Sequence, residues 1–201
     1  MGSERTTAGW RWGGLAVLAS AWGCNELAGP GGPWRAAVAL FALAAARALV
    51  DRPGASTAVA LAAVLFRAAN AAPFFCHLLG IALYGVAFDV AAMLFRPAER
   101  RLVLRGALAG LATGYVSCFL FAASVTWIVP YGRWAERGLA GVRDHVLFSG
   151  TEAALAGLVA VPLGFWIGER LATRAARRPR WALGGAAALG VACWGFGLLA
   201  G

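Results

Sequence analysis

Long apolar runs, broken by short clusters of arginine and by Gly/Pro turns, recur along the whole chain, and this alternation constrains the fold more than any single motif. A run of about 20 apolar residues is what an α-helix needs to cross a hydrocarbon core ~30 Å thick. Only helices and closed barrels satisfy their backbone polar groups in lipid, and runs of this length and continuity select the helix. The pattern predicts an all-α integral membrane protein with six to seven transmembrane helices.

Composition agrees with that reading. Of 201 residues, 61% are hydrophobic and 13% charged, about half the charged share of a soluble domain. Too few charges remain to coat a water-facing surface, so residues 1–201 are expected to form a single membrane domain. The net charge of +9 comes from arginine alone, since the chain has no lysine. In a soluble protein that excess would suggest nucleic acid; here it is better read as membrane topology, and no nucleic-acid partner is expected. Cys24, Cys76, Cys118 and Cys193 lie in or beside apolar runs without CxxC spacing. They read as free, buried thiols, and neither a metal nor a cofactor is expected.

The segments follow from the punctuation. The first spans about Trp10 to Ala28 and ends at Gly29-Pro30-Gly31-Gly32-Pro33. Arg5 and Arg11 ahead of it mimic a signal peptide, but Trp22-Gly23 before Cys24 makes a poor cleavage site, so a retained helix is expected. The second runs from Trp34 to Val50 and the third, short for a span, from Ala55 to Ala69. After a break at Asn70 to Pro73 come Phe74 to Phe95, Leu102 to Val129, His145 to Ala172 and Trp181 to Ala200. Tyr131 to Asp144 reads as the one substantial loop.

Counting arginines orients the bundle. With the N-terminus cytoplasmic, Arg5, Arg11, Arg47, Arg52, Arg96, Arg100, Arg101, Arg105, Arg170, Arg174, Arg177, Arg178 and Arg180 fall inside, and only Arg35, Arg67, Arg133, Arg137 and Arg143 fall outside. Cytoplasmic loops collect positive charge, so an N-inside, C-outside bundle in a bacterial cytoplasmic membrane is expected. In that orientation Glu26, Asn70, His77, His145, Ser149 and Glu152 gather at the outer end, in one layer with Trp127, Tyr131 and Trp134. Polar side chains in membrane segments are costly and mark function, and a few of them among aromatic walls make a small-molecule pocket. Interfacial belts also collect Trp and Tyr, so the aromatics individually weigh less. Asp89, in the inner half of the fourth segment, is expected to pair with Arg96, Arg101 or Arg105.

Gly106, Gly110 and Gly114 recur every four residues along the fifth segment, and Gly157, Gly164 and Gly168 mark the sixth. Small residues at that spacing let helix backbones approach closely in lipid. The chain carries no phosphate-binding glycine loop, no HExxH motif and no evident nucleophile–base pair. It reads as a non-enzyme, and any energised transport requires partner subunits.

Arg52-Pro53-Gly54-Ala55 leading into the third segment, His77-Leu78-Leu79-Gly80 opening the fourth, and Gly157 to Gly168 followed by an arginine-rich end carry a resemblance. The layout of residues 10–175 resembles the substrate-binding (S) components of energy-coupling factor (ECF) vitamin transporters. The resemblance implies six helices, N-terminus inside and a vitamin pocket near the outer face. It implies ligand contacts from Glu26, Asn70, His77, Trp127, Tyr131 and Glu152, and it implies a membrane coupling subunit and ATPase subunits as partners. That family's first helix docks through a small-x-x-x-small motif, for which Ala16 and Ser20 are the nearest match. Residues 181–200 are an additional helix that the family pattern does not need. Two carboxylates would favour a neutral or cationic aromatic ligand. The alternative is a non-catalytic accessory subunit of a larger respiratory or photosynthetic membrane complex.

Overall fold

A computed structural model describes residues 2–28, 32–70, 74–95, 101–177 and 179–200, and every regular element among them is helical. The Gly29–Gly31 turn, the break at 71–73, Arg96, Arg100 and Arg178 lie outside the described residues. The elements are α1 (Gly2–Ala28), α2 (Pro33–Val50), α3 (Ala55–Asn70), α4 (Phe75–Phe95), α5 (Leu102–Ala123), α6 (Arg133–His145), α7 (Thr151–Arg177) and α8 (Pro179–Ala200). α5 ends in a π turn, Ser124–Ile128, and a second π turn, Val146–Gly150, joins α6 to α7 without a break. Seven continuous helical segments result. Five of them, spanning 33–50, 75–95, 102–128, 133–177 and 180–199, are long and apolar enough to cross a membrane. The chain therefore has the build of a multi-pass helical membrane protein.

Local chemistry sets the boundaries. Pro33 opens α2 at a position where its missing N–H costs nothing. α2 closes at Asp51, which turns left-handed (φ 47°) while its N–H bonds to the Arg47 carbonyl at 2.8 Å. α3 follows after a three-residue turn through Gly54 and has only 16 residues. Its first turn is capped from another helix. Asp89 on α4 accepts hydrogen bonds from the Thr57 N–H (2.8 Å) and the Thr57 hydroxyl (2.6 Å). Asp89 thus acts as a cap for α3, while Arg96, one of its expected partners, lies outside the described residues. A buried carboxylate is drawn to the unpaired N–H groups at a helix start, where the helix dipole also favours negative charge.

Six helices close into a ring in the order α1, α3, α4, α5, α7, α2, and α8 attaches outside it along α1. Leu40, Leu43 and Val161 are fully buried where α2 meets α7, and Phe88 stacks on Phe165 across the interior at 6.2 Å. Gly164 and Gly168 of α7 lie against Phe41, Ala45 and Ala48 of α2, so closely that a side chain on either would collide. α5 and α7 meet the same way: Gly106 faces Pro162, Gly110 faces Gly157, and Gly114 faces the Ala154 backbone. Ser20 of the α1 pair is buried, whereas Ala16 points outward.

The segment read as a loop is a helix. On either side of a kink at Gly138 (φ 51°), Trp134 and then Gly141, Val142 and His145 are buried or half-buried against the bundle, while Arg133, Glu136, Arg137 and Arg143 are exposed. The kink divides α6 into two short helical pieces, each with its arginines away from the bundle, as suits a segment at a polar–apolar boundary. The outer face of α6 is tied by Asp144, which accepts from Arg137 at 2.8 Å and from Arg143 at 3.0 Å.

Candidate functional site

A cavity of about 370 Å³ opens at the end of the ring where α1, α3 and α5 finish and α2, α4 and α7 begin. Among the described residues, every helix of the ring except α3 contributes to its lining. Trp22 and Glu26 come from α1, and Arg35, Ala36 and Ala39 from α2. α4 contributes Cys76, His77, Gly80, Ile81 and Tyr84, and α5 contributes Ser117, Cys118 and Phe121. His145 from α6, Ser149 from the π turn, and Glu152 and Ala153 from α7 complete the wall. Polar groups thus converge from six helices on a volume within the range of small-molecule sites.

Hydrogen bonds hold several of these groups. The buried Trp22 ring donates its Nε1–H to Glu26 Oε1 at 3.0 Å, one turn along α1, and so aims the carboxylate. Arg67 of α3 donates to the Glu26 carbonyl at 3.1 Å, satisfying an acceptor that the end of α1 leaves free. Tyr115 and Thr151 share a hydrogen bond at 3.0 Å between α5 and α7 beside the cavity. Trp134 of α6 packs edge-on against both Phe121 (5.5 Å) and His145 (5.1 Å), which themselves line the cavity. This kinked helix is therefore fixed to the cavity wall by an aromatic cluster. α6 can carry that cluster because the chain enters it through Gly132 (φ 47°) and bends within it at Gly138 (φ 51°), conformations that suit glycine.

Of the sequence-predicted contacts, Glu26, His77 and Glu152 line this one cavity. Asn70, Trp127 and Tyr131 do not. Asn70 is buried on α3, where its amide donates to the Phe66 carbonyl at 2.8 Å and faces Gly197 of α8. Trp127 and Tyr131 are about half exposed, as are Trp34, Phe74 and Phe75, which places them on the outward surface of the bundle. Sequence reasoning overlooked Trp22, Arg35 and Tyr84. Trp22 precedes Glu26 by four residues and Tyr84 follows His77 by seven, so both carried the helical spacing that would have found them.

Charge in the cavity is mixed: two carboxylates, one guanidinium and two imidazoles among aromatic and aliphatic walls. Such a set can hold a small polar or aromatic molecule by hydrogen bonds and one or two ionic contacts. Among the described residues, neither His77 nor His145 hydrogen-bonds to a carboxylate or a hydroxyl. No family model matches the chain, and no curated protein or solved structure shows significant similarity to it.

Proposed function

We propose that this chain is a membrane-embedded solute-binding subunit of an ATP-driven importer, capturing a small, vitamin-like, neutral or cationic aromatic ligand. The observation that carries the proposal is the convergence of Glu26, His77 and Glu152, from three helices, on one cavity at the end of the bundle. The arginine bias supports the direction of transport. The cavity end holds the five minority arginines, and under the positive-inside rule this supports an outward-facing cavity with the N-terminus in the cytoplasm, in the bacterial cytoplasmic membrane that the proposal assumes. Because the sequence carries no nucleotide-binding motif, an importer of this kind would draw its energy from separate ATPase and membrane coupling subunits. The outward faces of Trp12 and Ala16 on α1 offer a place for such a subunit to dock. The cavity walls favour aromatic ligands, and the excess of carboxylate over guanidinium favours a positive charge on them.

The test is a fluorescence titration of the purified protein against a panel of vitamins and their precursors. Trp22 lies in the cavity wall, so a true ligand should quench tryptophan emission saturably, and Trp22→Phe should reduce the amplitude. A folded protein that responds to no member of the panel contradicts the proposal. A second reading, as an accessory subunit of a larger membrane complex, draws on α8. Val191, Leu198 and Leu199 all point outward from that helix. It predicts a stoichiometric partner without ATPase activity that co-purifies with the chain.

A further inference from the structure

A second hollow lies at the opposite, arginine-rich end. It is a cleft of about 460 Å³ between the start of α1, the ends of α2 and α7, and the start of α8. Its walls are almost wholly apolar, with Val17, Leu18, Leu49, Leu171 and Leu189 among them. Gly185 lines the cleft and is itself exposed, and no atom would come within 4 Å of a Cβ added there. The cleft is therefore open space, not a packed seam.

Two polar side chains enter this lining. Trp10 is 4% exposed, yet its indole N–H has no hydrogen-bond partner. A buried donor is normally satisfied, so an orphaned one calls for an acceptor that is not part of the chain. Arg174 stands at the rim. The Arg11 guanidinium lies over the Trp10 ring at 5.9 Å, adding a second cation beside the unpaired N–H. Residues 169–180 hold Arg170, Arg174, Arg177, Arg178 and Arg180 against Glu169 alone. Trp12 and Trp181 are exposed at the same end, as tryptophans are where a bilayer meets water. The required occupant has an apolar tail, an anionic head with acceptor oxygens, and access from the membrane.

We propose that this cleft binds an anionic phospholipid. One acyl chain lies along the leucines of α1, α2, α7 and α8, and the phosphate accepts from Arg174 and from the Trp10 N–H. Basic pockets between transmembrane helices recognise anionic headgroups in this way, and α8 thereby acquires a role, as the wall that closes the lipid site.

The full-length protein, purified in mild detergent, is exposed to equimolar phosphatidylglycerol and phosphatidylethanolamine of matched acyl chains. The lipid it retains is counted by native mass spectrometry. Phosphatidylglycerol should be retained over phosphatidylethanolamine by about tenfold, the worth of one charge-assisted contact. Arg174→Gln should abolish the preference, and Trp10→Phe, which keeps the ring and removes an N–H to the phosphate that both lipids share, should lower retention of both. Arg170→Gln should leave it intact, because Arg170 stacks on Trp166 at 3.8 Å and does not line the cleft. Gly185→Leu should fill the cleft and lower retention of both lipids. Equal retention by the wild type, a preference that survives Arg174→Gln, or a protein chain found in place of lipid would each overturn the proposal. A thermal melt of each variant confirms that a loss of lipid is not a loss of fold.

Discussion

Adding one methyl group at Gly110 should weaken the whole bundle. A Cβ there would lie 2.6 Å from the carbonyl carbon of Gly157 and 2.9 Å from its Cα, and closer still to the carbonyl oxygen. Ordinary contact begins near 3.4 Å, so α5 and α7 must separate by about 1 Å. All the obstructing atoms are backbone, and no rotamer change can relieve them. The separation is felt along the row, because Gly106 against Pro162 and Gly114 against Ala154 loosen with it. A gap of ~0.5–1 Å forfeits a quarter to a half of each dispersion contact, and overpacking costs ~1–3 kcal/mol. With no flexible neighbour to yield, Gly110→Ala should fall near the upper limit, about 3 kcal/mol, or roughly 6–12 °C in melting temperature for a chain of this size. Cys118 is buried on the same helix, so a thiol-reactive dye that fluoresces on labelling reports the melt. Gly184→Ala on α8 is the control, since nothing lies within 4 Å of a Cβ there, and it should leave the melt unchanged or raise it slightly. If Gly110→Ala melts within about 1 °C of the wild type, the close α5–α7 approach is not a stabilising contact and the reasoning fails.

Asp89→Ala should cost about 0.5–2 kcal/mol by uncapping α3, and Asp89→Asn, which retains an acceptor, should cost less in the same thermal melt. Trp134→Ala should loosen α6 from Phe121 and His145, each aromatic pair contributing ~0.5–1.5 kcal/mol, and stopped-flow measurements should show a bound ligand released several-fold faster. Gly138→Ala has room for its methyl group but not the backbone angles. It should therefore cost ~1–3 kcal/mol and increase proteolysis within residues 131–145 while the remaining helices stay folded. A periplasm-dependent reporter fused after Arg137 should be active and one fused after Arg180 inactive; the opposite result would invert the orientation and place the cavity on the cytoplasmic side.

How far the sequence could be read depended on what hydropathy encodes. It encodes depth along a helix, so the apolar segments, the shortness of α3 and the gathering of Glu26, His77 and Glu152 at one end were all legible. It encodes rotation about the helix axis poorly, because nearly every face of these helices is apolar. Trp127 and Tyr131 share a layer with Glu152 yet turn outward, and Asn70 turns toward α8, a neighbour that no local pattern announces. Trp22 and Tyr84 could have been recovered by stepping one or two turns from Glu26 and His77. Arg35 sits beside a turn and resembled ordinary interface charge. α6 was missed for a different reason: charged residues are as many as apolar ones in it, and its two glycines read as loop, although only Gly138 interrupts the helix and Gly141 is buried within it. Asp89 was expected to pair with an arginine because both lie at the same depth, but the start of α3 offered it backbone donors across the ring.

The most direct test of the central claim is equilibrium binding of the best ligand from the fluorescence panel to the wild type and to the Glu26→Gln/Glu152→Gln double variant. Losing two charged contacts should raise Kd by about a hundredfold or more, while the melting temperature without ligand stays near that of the wild type. Unchanged affinity in the double variant would contradict the account, because the ligand would then be held somewhere other than the cavity that Glu26 and Glu152 share.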